Sequence, residues 1–253
     1  VSRFQREVEI ARSLHEENVV QVLEVSGPED GLPFLAMEQL HGVTLSEHLR
    51  QKTRLSVSEL TELMTALARG TGAAHKAGII HRDLKPSNIF LHEGGGKSTW
   101  KILDFGVSKF MDQGDTLTAG AIVGTPAYMS PEQARSGELS SRTDLYALGV
   151  VAYRALTGRP AFIGKDLPAI LHSVVYESPP SPRGFADMPA EMELVLAIAI
   201  AKDPNDRFAD SEEMSSAFVA VEQGTLTAAL RARGESILEQ HPWAASPWGA
   251  RNA

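Results

Sequence analysis

His81-Arg82-Asp83-Leu84-Lys85-Pro86-Ser87-Asn88 is the stretch that decides how this chain is read. It offers a carboxylate, a cation two residues on and an amide five residues on, between a helical stretch and a short apolar run. A turn at that point presents all three groups to one cleft. Asp83 has the chemistry to take a hydroxyl proton, and Lys85 to neutralise charge on a transferring phosphoryl group. Asn88 can offer its amide oxygen to a metal ion. Phosphoryl transfer asks mostly for positioning and charge stabilisation, so these groups are suitable. A lone Asp-x-Lys would read as a solvated polar loop; the full string does not.

Working outward, Ser56 and Glu59 carry the spacing of a capping box. Leu60, Leu63, Met64, Leu67 and Ala68 continue it as one helical stripe, predicting a helix to about Ala77 that stops at Gly78. On the other side, residues 89–92 and 100–103 predict short strands flanking the turn Glu93-Gly94-Gly95-Gly96, and Asp104-Phe105-Gly106 follows. Phe4, Val8, Ala11 and Leu14 predict a helix with one buried face. The β-branched run 19–25 predicts a strand, paired with a second at 34–38 across the turn 26–31. Residues 140–157, 191–202 and 211–222 read as helices, the first apolar enough at its centre to be buried. Residues 111–123 and 179–189 read as loops, and one weak helix follows Gly224. A small β-rich part thus leads into a large helical one, with the joint near 39–42.

Composition narrows the classes. The chain has 253 residues, 43% hydrophobic and 22% charged, enough for a real core. Its net charge of -8 argues against nonspecific nucleic-acid binding and against a basic membrane-facing patch. With no cysteine, disulfides and Cys-ligated metals are excluded. No apolar run reaches the ~18 residues of a membrane span, so a cytoplasmic location is the expectation, with an anchor elsewhere in a complete protein left open.

The eight-residue string resembles the catalytic loop of eukaryotic-type protein kinases, and Lys85 two residues after Asp83 is the Ser/Thr version. Gly124-Thr125-Pro126-Ala127-Tyr128-Met129-Ser130-Pro131-Glu132 resembles the end of that family's activation segment, and Pro131-Glu132-Gln133-Ala134-Arg135 looks like its bacterial members. The resemblance covers about residues 4–221. It implies an α+β, bilobal fold: a partial N-lobe over 1–40, a mostly helical C-lobe over 41–223, and a C-terminal extension over 224–253 that is linker or disordered. It implies ATP and Mg²⁺ as cofactors and a protein substrate with a Ser or Thr acceptor; a kinase homodimer is left open.

Residue roles follow from the same resemblance. Asp83 and Lys85 are catalytic, and Asn88 and Asp104 hold Mg²⁺. Met37 falls at the gatekeeper, Glu38 and Leu40 at the hinge, and Phe90 at the adenine floor. Thr125 supports the acceptor hydroxyl. Phosphorylation of Thr116 or Thr118 would pair with Arg82 and order the loop. Asp144 holds the catalytic-loop backbone, although capping its own helix is a sufficient alternative. Arg207 pairs with Glu132.

Glu7 matches the ion-pairing Glu of the family. Its partner Lys and the Gly-rich loop belong upstream of it, and this sequence starts with Val1 at that point. The expectation is a piece of a longer kinase, inactive or very weak by itself. The alternative is a truncated pseudokinase acting as a binding module, which intact Asp83, Lys85, Asn88 and Asp104 oppose. A small-molecule phosphotransferase is opposed by the protein-substrate segment 124–132.

Overall fold

The computed structural model describes residues 14–25, 34–103 and 126–246. The predicted helix over 4–14 with Glu7, the turn 26–31, the loop 111–123, and Asp104, Phe105, Thr116, Thr118 and Thr125 therefore fall wholly or mainly outside the described residues.

Strands β1 (Val22–Val25) and β2 (Leu35–Met37) form the expected antiparallel hairpin, with an irregularity between Val22 and Glu24. The β-branched run does not stay in one strand as the sequence suggested. Val19 bridges Ile102 in parallel, and Val20 N–H donates to Ile102 O at 2.9 Å. Val19 and Val20 are buried, so the start of the run is spent on the large lobe and only its end on the hairpin.

The joint is made by β3 (Gly42–Thr44), which the sequence reading missed. It is three residues long and opens on a glycine, which gives no strand signal. Gly42 has φ 134°, and a Cβ there would lie 2.0 Å from Leu91 O, so only glycine fits. Thr44 then caps α1 (Leu45–Lys52) through a capping box with Glu47.

Helix α2 (Val57–Lys76) starts at N-cap Ser56 with the predicted Glu59 box. It ends in a Schellman arrangement: Ile79 N–H donates to Ala74 O at 2.9 Å and Gly78 N–H to His75 O at 3.0 Å. Gly78 takes φ 79°, the left-handed conformation that turns the chain into the loop 81–88.

After that loop, β4 (Ile89–Gly94) and β5 (Lys97–Ile102) pair with β3 in the order β3-β4-β5. Both strands run further than the sequence indicated. Gly95 and Gly96 both have positive φ, so a two-residue turn closes the hairpin and leaves Gly94 and Lys97 paired.

The remainder is helical: α3 (Pro131–Ala134), α4 (Ser141–Thr157), α5 (Leu167–Tyr176), α6 (Ala190–Ala199), α7 (Ser211–Glu222) and α8 (Ala228–Gln240). Helix α4 is buried around its whole circumference from Thr143 to Tyr153. Fully burying each of its large aliphatic side chains is worth about 1.5–3 kcal/mol. Gly149 lets α6 approach, since a Cβ there would lie 2.7 Å from Ala199 Cβ.

The extension after Gly224 is built onto this lobe up to Ser246, instead of trailing as linker. Helix α8 packs on α6 with Gly234 against Leu194, and Ala244 N–H donates to Pro179 O at 3.0 Å. Its pattern is weak because a glycine and arginines make much of the contact, where an apolar stripe would have been legible.

Candidate active site

The Schellman turn of α2 delivers the chain to His81, whose side chain is fully buried. Asp83 N–H donates to His81 Nδ1 at 3.2 Å, and His81 Nε2 lies 2.8 Å from Leu103 O. One ring nitrogen therefore accepts and the other donates, which puts the hydrogen on Nε2. The imidazole ties the loop to the end of β5. Leu103 N–H donates to Asn88 O at 2.9 Å and adds a second tie.

Beneath the loop lies Asp144, 1% exposed in the first turn of α4. Its Oδ2 accepts from His81 N–H and its Oδ1 from Arg82 N–H, both at 2.8 Å. His75 Nε2, from the last turn of α2, donates to Oδ2 at 2.8 Å. Asp144 thus holds the backbone of the loop as well as lying at its helix start. Arg82 has φ 66°, a strained value for a residue with a Cβ. Its N–H is held by Asp144, and its carbonyl accepts from Gln133 Nε2 at 2.8 Å. The strained peptide is gripped from both sides, which fixes the next residue, Asp83.

Asp83, Lys85 and Asn88 come together on this support. Lys85 Nζ lies 2.9 Å from Asp83 Oδ2. Asn88 Nδ2 donates to Asp83 O at 2.9 Å and approaches Oδ2 at 3.3 Å. With its amide nitrogen turned to Asp83, the Asn88 oxygen has, among the described residues, only a long 3.4 Å contact from Ser87 Oγ. That oxygen is a hard donor of the kind Mg²⁺ takes. Among the described residues no three His, Cys, Asp or Glu gather as a metal site. The other predicted ligand, Asp104, lies outside them.

The predicted nucleotide-side residues lie on β2–β4 and the joint. Met37 ends β2 and is 39% exposed. The Glu38 side chain accepts from Lys101 Nζ at 2.7 Å and from Gln21 N–H at 2.8 Å. Burial would raise this carboxyl, but those two donors hold it below its ordinary range. Glu38 is therefore anchored behind the joint through its side chain and through its N–H, which donates to Gln21 O at 2.9 Å, leaving its carbonyl as the part suited to a ligand. Leu40 is half-buried beside it. Phe90 sits on β4 opposite Thr44, its ring edge against the space a Gly42 Cβ would fill.

Arg207 and Glu132 form the expected pair. Two parallel bonds of 2.8 Å join Nη1 and Nη2 to the two carboxylate oxygens. The remaining Arg207 donors reach Ala201 O, Arg142 O and Lys202 O at 2.8–3.1 Å. The guanidinium also lies 4.8 Å from the Tyr146 ring centre. Thr143 Oγ1 donates to Glu132 at 2.9 Å. Burial alone would raise the Glu132 carboxyl; the guanidinium outweighs it and holds the group low.

Sequence reasoning missed His75, Gln133 and Thr143. Half of Gln133's role was visible, because Ser130-x-x-Gln133 is a capping box and Gln133 Oε1 accepts from Ser130 N–H at 3.0 Å. Nothing local pointed to its contact with Arg82. His75 read only as a basic residue in a last helical turn.

The protein kinase domain family matches residues 2–219. This chain belongs to the protein kinase family. The kinase domain is 38% identical over 231 residues to the serine/threonine-protein kinase pkn3 of Myxococcus xanthus, covering 88% of this chain and 42% of that protein. It is 35% identical over 228 residues to the serine/threonine-protein kinase PknB of Mycolicibacterium smegmatis, covering 88% of this chain and 36% of that one. The chain therefore spans about two fifths of the length of these relatives. Among solved structures, the PknI kinase domain of Mycobacterium tuberculosis superposes with a TM-score of 0.68 at 28% identity, over 86% of this chain and 77% of that one. The match carries the bilobal α+β fold, and kinase domains in general use ATP with a divalent metal.

Proposed function

We propose that this kinase domain is the catalytic part of a Ser/Thr protein kinase, passing the γ-phosphoryl group of ATP to Ser or Thr hydroxyls of proteins. The observation that carries the reading is the Asp83–Lys85–Asn88 cluster on a loop whose backbone is pinned by buried Asp144.

Asp83 accepts the hydroxyl proton of the acceptor as the new O–P bond forms and the bond from the γ-phosphorus to ADP breaks. Lys85, 2.9 Å from Asp83, puts its positive charge where the transferring oxygens gather negative charge. Asn88 would hold Mg²⁺ through its amide oxygen, with Asp104 as the second proposed ligand. When bound, the metal neutralises charge on the nucleotide phosphates. Met37, the Glu38 and Leu40 backbone, and Phe90 form the proposed adenine side of the cleft, Glu7 completes its small-lobe side, and Thr125 the acceptor side. Thr116 and Thr118 are the proposed regulatory positions, with Arg82 as the phosphate's partner. No helix among the described residues is long and apolar enough to cross a membrane. A supply of ATP and a chain without cysteine suit work in the cytoplasm.

The test is transfer from γ-labelled ATP and Mg²⁺ to a generic basic protein by the complete protein, followed by phosphoamino-acid analysis. Label on phosphoserine and phosphothreonine is the expected result. Label on phosphotyrosine, or none on protein while a small molecule is labelled, overturns the reading.

A further inference from the structure

Helix α8 lies beyond residues 2–219, where the family match ends, yet it reaches back into the machinery through one side chain. Arg233 donates from Nε and Nη2 to Asp206 O at 3.2 and 3.0 Å, and from Nη2 to Arg207 O. Its Nη1 meets Glu213 Oε1 at 3.1 Å, and the guanidinium lies 5.7 Å from the Phe208 ring centre. Arg207 is thus held at both ends. Its guanidinium spends five donors on Glu132 and three carbonyls, while its backbone carbonyl is held by Arg233. Glu132 lies in α3 next to Gln133, which grips the strained Arg82 carbonyl beside Asp83.

We propose that Arg233 is a positioning residue for phosphotransfer: it fixes the 206–207 backbone so that Arg207 holds α3, and α3 holds the catalytic loop. The activity part rests on the kinase reading above. Docking of α8 does not depend on Arg233. Gly234 packs on Leu194, Ile237 is buried, and Arg231 Nη1 pairs with Glu191 at 2.7 Å. Arg231 therefore supplies the control: it is an arginine of the same helix with an ion pair of its own, and its hydrogen bonds go to Glu191 and Leu226 O, away from residues 206–207.

The experiment compares Arg233→Ala, Arg231→Ala and Glu213→Gln in the complete protein. Hydrogen exchange at residues 131–137 reads the α3 anchoring without needing activity. Arg233→Ala should speed exchange there and lower transfer to protein substrate roughly three- to tenfold with the KM for ATP unchanged. Arg231→Ala should do neither. Glu213→Gln keeps an acceptor for Ala209 N–H and leaves the Arg233 bonds to carbonyls, so it should also leave both readouts near wild type. The proposal is overturned if Arg233→Ala leaves exchange at 131–137 unchanged, or if both arginine variants act alike. If the wild-type protein transfers no phosphate, the kinase reading fails, and the exchange data still decide whether Arg233 anchors α3.

Discussion

Two of the close ion pairs in the large lobe are built to opposite plans. In Glu132–Arg207 the arginine side chain is 0% exposed and the glutamate 11%, and every guanidinium donor has an acceptor. In Asp83–Lys85 the side chains are 32% and 18% exposed, joined by one contact of 2.9 Å. The first pair has given up its water and can persist only because each bond is replaced within the protein. The second is partly open to solvent, so it can exchange its present partner at little cost. The rigidity of one serves the availability of the other, since α3, anchored by Arg207, also carries Gln133 to the loop that holds Asp83.

The comparison breaks most sharply at Asp83. Asp83→Asn in the complete protein should lower phosphotransfer on the order of 10³-fold. It should shift stability by no more than about 1 kcal/mol, because Asp83 is a third exposed and an asparagine there still offers an oxygen to Lys85. Nucleotide affinity should stay near wild type. Turnover assays, ATP titration and a melting curve read the three quantities. Near-normal turnover removes Asp83 from its role, and a large fall in melting temperature would mean that the open pair is structural after all.

Arg207→Met should do the reverse. It leaves the Glu132 carboxylate largely buried without its cation, which costs about 3–5 kcal/mol. Denaturant unfolding should report that loss. The double variant Glu132→Gln with Arg207→Met should recover part of it, since no charge is then left unpaired. Equal losses in the single and double variants would show that the bonds from Arg207 to carbonyls, and not the pairing of charge, hold this corner.

What was legible in the sequence follows the same division. Asp83, Lys85 and Asn88 lie within six residues, and their chemistry could be read from type and spacing. So could the Ser56–Glu59 box, because a helix start is a local object. Glu132 and Arg207 are 75 residues apart and were found only through family resemblance. His75 reaches Asp144 across 69 residues and Gln133 reaches Arg82 across 51, and nothing in their own neighbourhoods marks those partners. Helix α8 was underrated for a related reason. Periodicity reports apolar burial, and this helix docks in large part through Gly234, Arg231 and Arg233.

Lys202 refines the comparison, as a half-buried amine with no carboxylate bonded to it among the described residues. Its Nζ donates to Val174 O at 2.6 Å and lies 4.2 Å from the Phe162 ring centre. Burial, then repulsion from Arg207 and Arg135, bring its pKa from the ordinary 10.5 down to about 7, against a weaker pull upward from Glu177. At this group the unfolded chain therefore binds more protons than the folded one between those values, so its contribution to stability rises with pH across that window. Below about pH 7 the folded lysine is also charged, and the full cost of burying that charge is present. The buried phenols of Tyr146 and Tyr153 are pushed up by burial, so they remove stability once unfolded tyrosines ionise near 10.0. The clean range is thus roughly pH 7 to 9. Melting temperature should climb by a few degrees across it in the wild type, and the climb should flatten in Lys202→Met. An unchanged slope in the variant would mean that Lys202 keeps its ordinary ionisation, and that the carbonyl and the ring are solvation enough for a cation that Arg207 could not do without Glu132.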